Sequence, residues 1–173
     1  KWSHVRANSG SGSATAVITV VGYASEDGPG GYSSFGESDD LTGGIALLLR
    51  YEPLDEDGNS QWSEQDFSEH HGLEPKFNAL IERGAAGIIL VNPPGATDGR
   101  SGLESFRRTR RLRPTMDIPT VHAHGDAIDL FLKHADEQGR TIAQLRALAD
   151  SGSSTAIDFK EDHLATLMTS IDT

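Results

Sequence analysis

Residues 76–94 constrain the fold of this chain more than any other stretch. Around the start of this stretch, apolar side chains recur at helical spacing and predict a helix with one buried stripe. They are Leu73, Phe77, Leu80 and Ile81. Gly84 follows, and glycine is the residue that most readily takes the left-handed conformation ending a helix. The run 88–91 is wholly apolar and is closed by Asn92 and two prolines, which predicts a strand buried on both faces. A helix that leads through a short turn into such a strand is half of an α/β layer.

The rest of the chain predicts one domain over residues 14–173, preceded by a flexible lead-in at 1–13 that ends in SGSGS. Long loops are expected where glycine, proline and acidic residues concentrate, at 24–44, 54–72 and 95–115. The first residue is lysine, which indicates a processed product or an excised fragment.

Further elements follow from local pattern. Strands are predicted at 16–21, 45–49 and 118–123. A second helix is expected after Asp126, taken as its N-cap, and ends near Gly139; a third begins at the capping-box pair Thr141 and Gln144. The tail 154–173 alternates across 160–162 and predicts a final antiparallel hairpin. The order of elements predicts a mixed α/β (α+β) fold, a β-barrel or sandwich flanked by two to three helices.

Composition excludes several classes of function. Cysteine is absent, so the chain holds no disulfide, thiolate zinc site or cysteine nucleophile. The net charge of −11 argues against nucleic acid as the main partner, because phosphate binding needs a basic surface. No apolar run approaches the roughly 20 residues of a membrane-spanning helix.

Three blocks of this sequence resemble the protease-associated domain, an insert in subtilisin-like proteases, transferrin-receptor-like proteins and zinc aminopeptidases. They are GGIALLLRYEP at 43–53, KFNALIERGAAGIILVNPPGA at 76–96 and IPTVHAHGDAIDLFL at 118–132. Lys76 stands eight residues before the Gly-Ala pair, as in that family, and the version within zinc aminopeptidases is the most similar. The chain departs from the family at Gly44, where lysine is usual, and at 54–72, which replaces a short loop.

The resemblance implies a swivelling β/β/α domain that is not catalytic and holds no cofactor, with zinc expected only in a separate, missing catalytic domain. Its partners would be that parent peptidase domain or a peptide or protein substrate, and its location extracellular or periplasmic. The residues expected to make contacts are Arg50, Tyr51, Glu52, Asn92 and a basic run, Arg107, Arg108, Arg110, Arg111 and Arg113. A free-standing peptide- or ligand-binding module using the groove beside Arg50-Tyr51-Glu52 is an alternative.

A second alternative is a small metal-dependent hydrolase. His122, His124 and Asp126 are alternate residues, and on a strand all three would point to the same side, which suits shared ligation of zinc. The position after Asp126 is alanine, whereas the metallo-β-lactamase-type motif continues with histidine. The pair His70-His71 with Glu69 and Glu74 is another metal candidate, and Asp55, Asp57, Asn59 and Asp66 imitate part of a calcium loop. Solvated loops are the preferred interpretation of both.

Overall fold

The computed structural model describes residues 3–5, 9–96, 102–103, 116–152 and 156–170. These residues form eight strands: β1 (Ser3–Val5), β2 (Gly12–Ala16), β3 (Ile18–Val21), β4 (Ile45–Leu49), β5 (Gly87–Val91), β6 (Thr120–Ala123), β7 (Ala156–Asp158) and β8 (Ala165–Thr169). The α-helices are α1 (Leu73–Glu82), α2 (Gly125–Ala135) and α3 (Ile142–Asp150). Two sheets and three helices confirm the mixed α+β class expected from the sequence. No helix among the described residues combines the length and the apolar character that crossing a membrane requires.

The larger sheet has six strands in the order β1-β6-β5-β4-β3-β7. Its four central strands, β3 to β6, run parallel, and the edge strands β1 and β7 are antiparallel to their neighbours. Strands β2 and β8 form a separate antiparallel pair. Because the central strands are parallel, their carboxyl ends meet at one edge of the sheet, and this edge positions the site described below.

Both faces of the larger sheet are covered. On one face, α1 packs Phe77 and Leu80 against Leu48 and Leu90. On the other face, α2 and α3 pack against the alternate residues of the same strands, with Leu132 and Leu145 at the centre of that cluster. All five residues of β4 and all five of β5 are buried, as the continuous apolar runs predicted.

The local signals at helix ends are confirmed in two cases and wrong in a third. Gly84 has a φ of 86° after α1, and Thr141 with Gln144 forms a reciprocal capping box at the start of α3. Asp126 is not the N-cap of α2. His124 takes that position, and its side chain accepts from the backbone amide of Asp126, which lies in the first turn. The helix also ends at Ala135, before Gly139.

Pairing between distant strands corrects two other expectations. The predicted strand 16–21 is divided at residue 17 between two sheets, because β2 pairs with β8 and β3 pairs with β4. The predicted tail hairpin is absent from the described residues, since β7 pairs with β3 and β8 with β2. Within the predicted lead-in 1–13, β1 and the start of β2 lie in strands.

Part of the predicted lead-in makes backbone contacts with the rest of the domain. Strand β1 pairs with β6, and β2 already begins at Gly12. The amide of Gly10 donates to the carbonyl of Ile118 at 3.0 Å, and a Cβ at Gly10 would stand 2.4 Å from the carbonyl oxygen of Met116. Gly10 is needed here because the two backbones approach closely. A stretch rich in glycine and serine has the same composition whether it makes such contacts or acts as a linker.

Gly84 gives a stability prediction with a control nearby. Gly84→Ala is expected to lower the free energy of unfolding by about 2–3 kcal/mol, because alanine is strained at positive φ and its Cβ would stand 2.7 Å from the Oγ1 of Thr42. Gly43 also has positive φ but has nothing within 4 Å of a Cβ, so Gly43→Ala is expected to cost about 1 kcal/mol. Urea unfolding of both variants measures the difference. Equal losses would contradict the contact with Thr42.

Candidate functional site

A groove opens at the edge of the six-stranded sheet where three parallel strands end. The register aligns Leu49, Val91 and Ala123, the last residues of β4, β5 and β6, so the segments that follow emerge side by side. They enclose a volume of about 220 Å³. The lining residues are Tyr51, Asn92, Pro93, Pro94, Gly95, Ala96, Leu103, Ala123, His124, Gly125 and Asp126. In open α/β sheets, ligands bind in the crevice outside this edge.

Tyr51 forms part of the groove from an uncommon backbone conformation. Its φ of 76° lies in the left-handed region, which costs a residue with a side chain about 1–2 kcal/mol. Its ring stacks on Phe67 with centroids 4.5 Å apart, and the guanidinium carbon of Arg50 lies 5.1 Å from the ring centre. The Nζ of Lys76 donates to its carbonyl oxygen. Strain maintained by surrounding contacts is characteristic of binding and catalytic sites.

Glu52 anchors the loop 54–72 to the core. Its carboxylate is fully buried. Oε1 accepts from the hydroxyl of Ser60 and, at 2.7 Å, from the amide of Ser68, while Oε2 accepts from the hydroxyl of Ser68. Ser68 also caps a short 3₁₀ helix by accepting from the amide of His70. The loop, predicted as a surface excursion, is therefore fixed at both Ser60 and Ser68 by one carboxylate.

Lys76 lies in the first half of α1, and its side chain is 2% exposed. Its ammonium lies 5.7 Å from the ring centre of Tyr23 and donates to the carbonyl of Tyr51. Burial lowers the pKa of Lys76 to about 7, and the negative charge of Glu52 partly offsets that shift. The amine beneath Tyr51 consequently changes its protonation near neutral pH.

A partly buried ion pair on α3 ties together the loops on either side of the groove. Arg146 donates to the carbonyl of Pro94 at 2.5 Å and to that of Asp55 at 2.6 Å, and it pairs with Asp150 at 2.9 Å. Asp150 in turn accepts from the amide of Leu54 at 2.9 Å. One arginine therefore bridges the loop after β4 and the loop after β5 and fixes these two segments relative to each other.

Tyr23 completes this cluster. Its hydroxyl donates to Asp150 at 2.7 Å. Burial, together with the negative charge of Asp150, raises the pKa of Tyr23 well above its ordinary value, so the tyrosine stays protonated through the neutral range.

The three residues of the metal hypothesis do not converge. His122 is buried, and its Nε2 lies 3.1 Å from the Oδ1 of Asn92. His124 lies at the rim of the groove, where its Nδ1 accepts from the amide of Asp126 at 3.3 Å and lies 3.4 Å from the carboxylate of the same residue. Strand β6 ends at Ala123, so the alternation along a strand does not continue to Asp126. Within the described parts of the chain, no three His, Cys, Asp or Glu side chains are placed to hold a metal ion.

The other predicted contact residues have different surroundings. Arg50, Tyr51 and Glu52 are all buried, so these three candidates line or support the groove from inside. Asn92 lines the groove and donates to the carbonyl of Gly102 at 3.3 Å. The basic run 107–113 lies outside the described residues.

The remaining metal candidates are engaged locally. His71 contacts the carbonyl of Ser68 through its Nδ1, and the ring of His70 meets Trp62 edge to face. Asp55 accepts from the amide of Asn59 at 2.8 Å, and this bond holds the pKa of Asp55 below its ordinary value. These side chains make contacts within their own loop.

Sequence reasoning missed the roles of Lys76, Arg146 and Asp150. For Lys76 a signal existed. It occupies the position three residues after Leu73 and four before Leu80, within the buried stripe of α1. A lysine that falls on the apolar face of a helix is expected to be buried and to have a hydrogen-bond or charge partner for its amine. Arg146 and Asp150 stand four residues apart on α3, a spacing that allows an ion pair, but nothing local marks the two backbone carbonyls that Arg146 also binds, because they are far away in sequence.

Comparison with protein-family models and with curated protein sequences gives no match. Among solved structures, an aminopeptidase from Aneurinibacillus sp. strain AM-1 is similar to this chain, with 18% sequence identity and a TM-score of 0.38. The similarity covers 96% of this chain and 30% of that chain, so this sequence spans less than a third of the aminopeptidase. The identity and the score are too low to carry residue roles from that protein to this one.

Proposed function

We propose that this chain is a non-catalytic domain of the protease-associated type, from an exported zinc-aminopeptidase-like protein, and that it binds an extended peptide segment of a substrate or partner. The observation that carries the proposal is the groove at the ends of β4, β5 and β6, where buried contacts hold Tyr51 in a left-handed conformation. The three sequence blocks that resemble the protease-associated domain support the assignment to that type. They include the segments on which the groove is built.

The lining of the groove indicates the chemistry of its ligand. Pro94, Ala96 and Leu103 offer partly exposed apolar surface, and the lining also includes the buried Tyr51 and Pro93. The carboxylate of Asp126, 77% exposed, lies at the rim. The chain as a whole carries a net charge of −11. A peptide with an apolar side chain beside a basic one fits both features, since the apolar group enters the groove and the cation faces Asp126.

The hydrogen bonds of the polar groups around the groove favour binding over catalysis. His122 is bonded to Asn92, and His124 accepts from the amide of Asp126 as the cap of α2. Each imidazole therefore has a structural partner. A general base would need its free nitrogen directed at a reacting group.

The proposal is tested with two fluorescein-labelled pentapeptides, Ala-Leu-Arg-Leu-Ala and Ala-Leu-Glu-Leu-Ala, by fluorescence anisotropy. Saturable binding of the arginine peptide, with clearly weaker binding of the glutamate peptide, is the expected result. Binding of neither peptide would overturn the proposed function. Equal binding of both would overturn the assignment of a basic ligand.

Asp126→Asn is expected to weaken binding of the arginine peptide about two- to fivefold, because it removes an exposed charge partner while preserving the shape of the side chain. Glu137→Gln is the matched control, since Glu137 is also exposed and follows the opposite end of α2. The control should bind as the parent does. An equal loss in both variants would show that net charge alone drives binding and would contradict a role for the rim.

A further inference from the structure

The amine of Lys76 is connected to the groove through the backbone of Tyr51. Lys76 is buried beneath the sheet edge and donates to the carbonyl of Tyr51, while the other side of Tyr51 lines the groove. Tyr51 is one of two residues other than glycine that have positive φ among the described residues. A hydrogen bond from an ammonium group is stronger than one from a neutral amine, so it opposes the strain of Tyr51 more effectively.

We infer that Lys76 is a positioning residue for the groove: its protonated amine holds Tyr51 and the adjacent carboxylate of Glu52 in the binding-competent arrangement, and loss of the proton weakens peptide binding. This inference rests on the proposed function, and it names the regulation of the same groove. It assigns to the groove an affinity that falls as the pH rises through neutrality.

The charged and titratable groups around Lys76 come from three elements. Glu52, after β4, bears the negative charge that the ammonium faces, and Arg50 lies over the ring of Tyr51. Tyr23, after β3, presents its ring to the ammonium, while its hydroxyl donates to Asp150 on α3. When Lys76 loses its proton, Glu52 keeps Ser60 and Ser68 as donors but no longer faces the positive charge of Lys76.

The acid–base behaviour agrees with this geometry. Burial lowers the pKa of Lys76 to about 7. Below that pH the amine is charged and Tyr51 is held; above it, the amine is neutral and the hold on the carbonyl is weaker. Tyr23 does not titrate in this range, because burial raises its pKa.

His124 needs a control because its ionisable imidazole lines the groove beside Asp126. A positive charge on this imidazole would repel a basic peptide, an effect opposite in sign to that of Lys76. His124→Asn removes the imidazole and keeps a side-chain acceptor for the amide of Asp126, since asparagine is a favoured N-cap. The pH profile is therefore measured in the His124→Asn background.

In that background, the affinity for Ala-Leu-Arg-Leu-Ala is expected to fall about fivefold between pH 6 and pH 8.5, with a midpoint near 7. Adding Lys76→Met should remove the dependence on pH, whereas Lys133→Met, at an exposed position on α2, should leave it intact. A profile that keeps its midpoint in the Lys76→Met protein would overturn the inference.

A second measurement does not depend on whether the Lys76→Met protein folds. The ¹³C shift of the Tyr51 carbonyl in the His124→Asn protein should titrate with the midpoint of the affinity profile, because Lys76 donates to that oxygen. A flat shift from pH 6 to 8.5 would overturn the inference, even if the peptide binds equally well at each pH. Absence of binding at every pH would instead overturn the proposed function, and with it the regulation of the groove.

Discussion

Replacing Glu52 with alanine is expected to lower the free energy of unfolding by about 3–5 kcal/mol at pH 7. The change leaves the hydroxyls of Ser60 and Ser68 and the amide of Ser68 without their acceptor in a buried place, and it removes the carboxylate that faces Lys76. Urea unfolding followed by far-UV circular dichroism measures the loss. Amide hydrogen exchange over residues 66–72 should also rise, because the carboxylate fixes this end of the loop.

Two further variants show whether the loss of stability comes from the buried carboxylate of Glu52. Glu56→Ala removes an exposed carboxylate from the same loop and should change stability by less than about 0.5 kcal/mol. Glu52→Gln keeps the shape and one acceptor and should fall between the two. If Glu52→Ala costs no more than Glu56→Ala, the carboxylate does not anchor the loop, and the described support for Tyr51 is wrong.

The stability of the protein is expected to rise with pH between about 7 and 9.5 through the titration of Lys76. The folded-state pKa of about 7 lies below the ordinary 10.5, so within this window the unfolded chain binds more protons than the folded one. The free energy of unfolding therefore increases with pH in this window, and the whole effect, if completed at pH 10.5, is on the order of 5 kcal/mol. Below pH 7 the amine is protonated in both states, and the full cost of burying the charge is present.

Lys76→Met isolates this contribution. Urea unfolding of the parent and the variant at pH 6.5, 8 and 9.5 should show the parent gaining stability relative to the variant at each step. Tyr23 does not disturb the comparison below pH 10, since its pKa is raised by burial. A difference between the two proteins that is the same at all three pH values would contradict the depressed pKa of Lys76.

The contrast between stability and binding makes Lys76 informative. Its charged form costs folding free energy, because it is buried, and yet in our proposal the charged form is the one that holds Tyr51 for binding. Functional sites often keep residues that lower the stability of the fold. Stability that rises with pH while affinity falls is a combination that a purely structural lysine would not produce.

The fold could be predicted where local physics decides it. Gly84 ends α1 in the left-handed conformation, and Thr141 caps α3, because both depend on the residues beside them. The buried strand at 87–91 follows from an apolar run that offers no polar face. The pairing of β7 with β3 and of β8 with β2 could not be predicted, since the alternation of short strands fits a hairpin equally well.

The sequence named residues of the groove without revealing what supports them. Tyr51 and Asn92, both named as contact candidates, line the groove. The candidates Arg50, Tyr51 and Glu52 are all buried where the chain turns at the left-handed Tyr51. That turn depends on contacts with Phe67 and Lys76, and no local pattern reveals those contacts.

Binding at the groove is tested most directly by a two-dimensional ¹H–¹⁵N NMR titration of the protein with Ala-Leu-Arg-Leu-Ala at pH 6.5. We expect the shifts to concentrate at the amides that line the groove, those of Tyr51, Gly95, Ala96, Gly125 and Asp126, with smaller shifts in the β2–β8 pair. Shifts that concentrate elsewhere, or none at saturating peptide, would contradict the claim that the edge formed by β4, β5 and β6 is the binding site of this domain.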